Sequence, residues 1–197
     1  FLYGGDGADN IVGGTENDYA EGGADADLIY GDDGDDTLNG DAGNDDIRGD
    51  DGMDLIAGGA GNDNLEGGSG HDEIDGGDDD DELRGGEGDD TMLGGLGDDR
   101  LEGHEDDDWL DGEDGDDQLS GDDGSDVLVG GLGDDEIDGG WGGGNDTISG
   151  DADLVITGGV IQSQLSLQEG AAPGGNDTVR SGDGNDLIYA GGGHDDI

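Results

Sequence analysis

The sequence predicts an all-β solenoid, on three observations. From Gly4 to Asp138 the chain divides into fifteen nine-residue units without an insertion or deletion, and a fixed period marks an architecture of stacked repeats. Every unit opens with glycine, and further glycines recur at positions 2 and 4; these permit backbone with positive φ, which other residues resist. Position 8 is Ile, Leu or Met in fourteen of the fifteen units, an isolated aliphatic whose two neighbours point to the opposite face of a short strand.

The unit Gly58–Glu66, GGAGNDNLE, shows these features in order. Glycine fills position 4 in eleven units, and Glu16, Asp25, Asp79 and Asp106 take it in the others. A side chain there either distorts the turn or sits at positive φ, as Asn and Asp do more readily than most. Position 6 is aspartate in all fifteen units. Position 8 fails once, at Ala20, close to Glu16 and Asp25, so the turns of the second and third units are expected to be the weakest. Phe1-Leu2-Tyr3 fits as the last third of an earlier unit.

This pattern resembles the nonapeptide G-G-x-G-x-D-x-U-x of the RTX (repeats-in-toxin) calcium-binding family. The register is strict to Asp138 and broken beyond it. The resemblance implies a right-handed parallel β-roll with two units per coil. The first six residues of a unit would form a calcium-binding turn and the last three a strand. Residue i would then stack on residue i+18, so the core is a ladder. One sheet would supply Ile11, Ile29, Ile47, Leu65, Leu83, Leu101, Leu119 and Ile137. The facing sheet would supply Leu2, Ala20, Leu38, Ile56, Ile74, Met92, Leu110 and Leu128.

Composition explains why a cation is needed. The chain holds 51 glycines and 58 acidic residues against four basic ones, all arginine, for a net charge of −54. Composition alone describes a disordered polymer. One aliphatic side chain per unit is a thin return for ordering a glycine-rich backbone, and the carboxylates repel one another. Calcium, a hard ion taking six to eight oxygens from carboxylates and carbonyls, supplies the missing attraction. Magnesium demands stricter geometry, and zinc lacks its usual nitrogen and sulfur donors.

The predicted carboxylate ligands are Asp9, Asp18, Asp27, Asp36, Asp45, Asp54, Asp63, Asp72, Asp81, Asp90, Asp99, Asp108, Asp117, Asp126, Asp135, Asp146, Asp177, Asp186 and Asp195, with carbonyls of the glycine-rich turns. Sharing an ion between turns one coil apart gives roughly one ion per turn pair, about thirteen over the regular units. Without calcium the chain is expected to be unfolded and self-repelling.

Three segments follow from the register: a regular roll at 1–138, an irregular insertion at 139–173, and resumed repeats at 174–197. In the insertion, Gly139–Ser149 carries two extra residues, read as a longer turn ending in Asp146. Asp153–Pro173 has low charge, β-branched residues and an alternation at Gln164-Leu165-Ser166-Leu167, read as strands or a hairpin leaving the roll. Outward positions sort by coil parity. Arg48, Glu66, Glu82, Arg84, Arg100 and Glu102 fall on one face, with Arg84 flanked by Glu66 and Glu102 and with Arg100 stacked on Glu82. Tyr19, Leu55, Leu93, Trp109, Val127 and Val129 fall on the other.

No enzyme signature emerges. His104-Glu105 lacks the second histidine of the zinc-protease motif, and His71, His104 and His194 occupy different repeat positions. There is no cysteine, so neither disulfides nor thiolate metal sites are available. No window is apolar enough to span a bilayer, and no charged-then-apolar leader follows Phe1. Such an acidic surface disfavours nucleic acid and anionic lipid. The expected partners are calcium ions, with self-association or contact with neighbouring repeats of the parent protein.

The reading is a calcium-binding module of a large secreted or cell-surface bacterial protein, acting as a rigid structural or adhesin element. The alternative is the secretion and stabilising module of an enzyme or toxin whose catalytic domain lies outside this chain. Type I secretion is implied by the resemblance alone.

Overall fold

A computed structural model describes residues 1–140, 144–150, 154–157, 160–163, 176–182, 184–189 and 194–197. Among them the chain forms a parallel β-roll of two sheets, one of ten strands and one of nine, and a separate two-stranded antiparallel ribbon. Consecutive strands alternate between the two large sheets, so each strand pairs with the next but one. Leu65 pairs with Leu83, and Leu83 with Leu101, which is the i to i+18 stacking expected for two units per coil.

The core lies between the sheets as a ladder of position-8 side chains. Ile29, Ile47, Leu65, Leu83 and Leu101 of one sheet are buried with Leu38, Ile56, Ile74, Met92 and Leu110 of the other. Ala20 fills its rung with a smaller side chain and is equally buried. Leu2 is only partly covered.

Two expectations change at the turns. The strands run beyond three residues: Asn64–Ser69 and Leu83's strand, Glu82–Glu87, extend over positions 7 to 9 and on through positions 1 to 3 of the next unit. Ladder pairing therefore continues through the paired glycines, and only positions 4 to 6 turn. Glycine at position 1, moreover, does not have positive φ. It is required because there is no room. A Cβ on Gly58 would lie 2.3 Å from Asp63 Oδ2 and 2.7 Å from the carbonyl oxygen of Gly76 one coil on. The same pair of obstacles recurs along the roll, as at Gly40 and Gly67.

Positive φ recurs at positions 2 and 4, although Glu16 at position 4 does not adopt it. Position 2 takes it even where the residue is not glycine, as at Asp32 (φ 68), Asp41 (φ 70), Asp50 (φ 73), His104 (φ 82), Glu113 (φ 70) and Asp122 (φ 67). At position 4, Asp25, Asp79 and Asp106 adopt φ of 72, 77 and 77. Strand pairing continues past all three, so of the two outcomes open for these side chains, tolerance at positive φ is the one adopted.

Past Asp138 the roll absorbs the irregular sequence and continues. Thr147–Ser149 pairs with Val127–Val129, twenty residues apart instead of eighteen, so the coil register resumes after the two extra residues. Glu136–Asp138 then pairs with Thr178–Arg180, and Thr147–Ser149 with Leu187–Tyr189. The intervening sequence includes an antiparallel ribbon, Leu154–Thr157 with Val160–Ser163. The alternation at Gln164–Leu167 lies outside the described residues.

The sterics of position 1 predict a sharp contrast. Gly58→Ala should destabilise the calcium-loaded roll by about 1–3 kcal/mol through overpacking, whereas Asp32→Gly, which relieves positive φ, should change stability by less than about 1 kcal/mol. Thermal unfolding of both variants in calcium measures the difference.

Candidate metal centre

The functional side chains are placed by the two rows of turns at the edges of the roll. In each turn, position 6 follows the bend and precedes the strand, so its side chain folds back beneath the glycine of position 1. One row carries Asp9, Asp27, Asp45, Asp63, Asp81, Asp99, Asp117, Asp135, Asp177 and Asp195. The other carries Asp18, Asp36, Asp54, Asp72, Asp90, Asp108, Asp126, Asp146 and Asp186.

Within a row the aspartates are linked. The backbone N–H of each donates to Oδ1 of the aspartate one coil later, as from Asp45 to Asp63 and from Asp63 to Asp81, both at 2.8 Å. Neither row is interrupted by the insertion. Asp135 donates to Asp177 Oδ1 at 3.1 Å across 42 residues, and Asp146 to Asp186 Oδ1 at 3.1 Å across 40. Asp9, Asp18, Asp186 and Asp195 are half-buried, and the Phe1 amine lies 3.9 Å from Asp18 Oδ1. All the other predicted ligand aspartates are buried.

The second carboxylate oxygen sets the chemistry. Oδ2 of Asp27, Asp36, Asp45, Asp54, Asp63, Asp72, Asp81, Asp90, Asp99, Asp108, Asp117 and Asp126 is enclosed and has no hydrogen-bond donor. A buried carboxylate oxygen without a partner is costly. Near each such oxygen lies a backbone carbonyl: Asp63 Oδ2 and the Gly76 carbonyl both crowd the space over Gly58 Cα that a side chain would fill. Among the described residues no group of three carboxylate or imidazole side chains could hold a metal ion, so a cation in these turns would draw much of its shell from the backbone. Buried anionic oxygen, neighbouring carbonyls, and neither sulfur nor imidazole in the set fit a hard divalent ion.

Burial also moves the protonation equilibria. It pushes the Asp81 and Asp108 carboxyls up to about 8, Asp90, Asp117 and Asp126 to about 7, and Asp54, Asp63 and Asp99 to about 6. The N–H bond from the preceding coil opposes the rise, and neighbouring carboxylates add to it.

Sequence reasoning missed a second ladder. Position-5 side chains accept from the backbone N–H of position 5 in the following coil: Asp80 from Asp98 at 3.0 Å, Asp98 from Asp116 at 3.0 Å, Asp116 from Asp134 at 2.8 Å and Asp134 from Asn176 at 2.7 Å. It runs opposite in direction to the position-6 ladder. The available signal was the recurrence of Asn, Asp, Ser and His at position 5, from Asn17 and Asp35 through His71 to Ser125.

The arginine face has the expected register, with Arg84 between Glu66 and Glu102. Arg48 takes Glu66 at 3.6 Å, while Arg84 engages Asn64 at 2.8 Å, Glu102 at 3.4 Å and its strand neighbour Glu82. Arg100 lies 4.0 Å from Glu82 and also bonds Glu102. Glu66 stands beside Arg84 in the register, and its carboxylate contacts Arg48 of the earlier coil. On the opposite face Leu55 and Trp109 are exposed while Val129 is buried.

The raised carboxyls fix the sign of the pH response. An acid whose pKa rises on folding binds more protons folded than unfolded, so the cation-free roll loses stability as pH climbs from about 4, the unfolded carboxylate value. The loss continues through about 8, the highest of the folded values. A cation reverses this, because it binds the deprotonated groups. Circular dichroism of the chelated and calcium-loaded chain should therefore differ most near pH 8 and converge as the pH falls toward 4.

The family comparison agrees with this geometry. The model of the RTX calcium-binding nonapeptide repeat matches overlapping windows that cover residues 3–153 without a gap, and matches again at 174–197. No curated protein matches the chain. Repeats of this family bind calcium, and the β-roll they build is a structural module without catalytic function. With its period, its roll and its rows of enclosed aspartates all in the matched register, the chain belongs to the RTX calcium-binding nonapeptide repeat family.

Proposed function

We propose that the position-6 aspartates are the calcium ligands of this chain and that the module folds when it meets extracellular calcium. One observation carries the reading. In two rows of enclosed carboxylates, Asp27 through Asp117 and Asp36 through Asp126 present an oxygen without a donor, and all four arginines are committed elsewhere, on the outer face of one sheet. Calcium would neutralise these oxygens, draw the turns of successive coils together, and use carbonyls that a side chain at position 1 would obstruct.

The segments 1–138 and 174–197 would act as one calcium-bound roll, joined by Thr147–Ser149 as a further rung, with the sequence from 150 to 173 carried between its coils. The charge of −54 keeps the chain extended where calcium is scarce and makes it compact where calcium is abundant, which suits export followed by folding outside the cell. We assign the module to a larger secreted or cell-surface bacterial protein, in which it serves as a rigid structural or adhesin element.

Calcium titration followed by circular dichroism tests the reading. A cooperative coil-to-β transition is expected on adding calcium near pH 8, reversed by chelator, and β-structure that persists in chelator at that pH would refute it. Substitution separates the two ladders. Asp81→Asn should weaken the loaded roll by about 1–3 kcal/mol and raise the calcium concentration at the midpoint, while Asp80→Asn on the exposed ladder should leave that midpoint nearly unchanged.

A further inference from the structure

Asn39–Gly40 is the one Asn–Gly pair in the sequence, and its chemistry makes it reactive. The backbone nitrogen of Gly40 can attack Asn39 Cγ, because a glycine carries no side chain to screen that nitrogen. The bond from nitrogen to Cγ forms, the Cγ–Nδ2 bond breaks, and Nδ2 leaves as ammonia with the proton from the Gly40 N–H. Water then opens the cyclic imide. Attack at Cγ gives aspartate. Attack at the main-chain carbonyl carbon gives isoaspartate, whose backbone runs through Cβ and Cγ and is longer by one carbon.

The roll holds the pair in an unreactive arrangement. Asn39 lies in the strand Thr37–Ala42, paired with Glu21 on one side and Ala57 on the other, and Asp41 is paired with Gly23 and Gly59. The Asn39 amide is turned toward Asp41. Its Nδ2 donates to Asp41 Oδ1 at 2.8 Å, and its Oδ1 accepts from the Asp41 N–H at 3.2 Å. Ring closure requires the amide to swing over the Gly40 nitrogen and the extended backbone to turn, which breaks both bonds and the flanking strand pairs. Gly40 is buried, and a Cβ on it would lie 2.3 Å from Asp45 Oδ2 and 2.6 Å from the Gly58 carbonyl oxygen. A lengthened backbone has no room there.

We infer that Asn39–Gly40 is a modification site closed by folding: it converts to isoaspartate in the calcium-free chain and is protected in the roll. The inference rests on the calcium reading, since calcium decides which state is present. The product cannot be accommodated afterwards. Leu38 is buried in the core ladder and Asp45 in its turn, and the chain between them sets Gly40 beside the Asp45 carboxylate. An added carbon between Asn39 and Gly40 displaces one or the other, so time spent without calcium permanently weakens this coil.

Peptide mapping by mass spectrometry follows the pair in the full chain, held near pH 8 with chelator or with excess calcium. Loss of the Asn39 amide, and enzymatic methylation of isoaspartate, should be at least about tenfold slower in calcium, because reaction requires local opening of a paired strand. When calcium is added to the aged, chelated chain, circular dichroism should show a midpoint raised in step with the isoaspartate content. Asn39→Asp adds the charge without lengthening the backbone and should fold at nearly the original midpoint. Asn39→Gln, whose ring closure is disfavoured, should keep its midpoint through the same ageing. Equal rates of amide loss while calcium-induced β-structure is present, or an aged chain whose midpoint is unchanged, overturns this inference alone. Failure of calcium to induce β-structure overturns the functional reading and the inference with it.

Discussion

A carboxylate oxygen shut inside a protein without a donor is the constraint on which the rest of the structure depends. In the turns from Asp27 to Asp126 Oδ1 is satisfied by an N–H from the preceding coil, and Oδ2 is enclosed near a carbonyl oxygen with no donor. Such an arrangement is unfavourable for any chain lacking an external positive charge. The glycine at position 1, the aspartate at position 6 and the even spacing of the coils all serve that one enclosed oxygen. The aliphatic ladder aligns the coils, but it is one residue wide in each sheet and cannot hold so acidic a chain together.

Outside the turns the fold imposes little. Outward positions alternate between sheets and vary freely, from an arginine–glutamate network on one face to exposed Leu55 and Trp109 on the other. Exposed ion pairs of this kind contribute tenths of a kcal/mol each, so the network helps align coils more than it stabilises them. The insertion shows the same tolerance on a larger scale. Rungs 42 residues apart close as well as rungs 18 apart, because coil pairing depends on local register and only weakly on the length of chain between.

Much of this was legible in the sequence because the period makes it so. Fifteen aligned units identify the aspartate, the buried aliphatic and the coil parity, and the structure places Leu65 beneath Leu83 as that parity requires. What was not legible depended on contacts between coils. Glycine at position 1 reads in sequence as a demand for unusual backbone, whereas Gly58 is needed for the space beside Asp63. Asp41 and Glu113 at positive φ run against intrinsic preference and are held there by flanking strand pairs. The position-5 ladder was hidden because Asn, Asp, Ser and His look like ordinary surface variation until Asp80, Asp98 and Asp116 are seen stacked.

The two opposed ladders bear on how such a rod responds to tension. Position-6 side chains grip the coil before them and position-5 side chains the coil after them. Each seam is thus fastened from both sides, and peeling from either end must break the same mixture of bonds. A rod built this way has no preferred direction of unzipping, so a pull applied at either end would meet similar resistance.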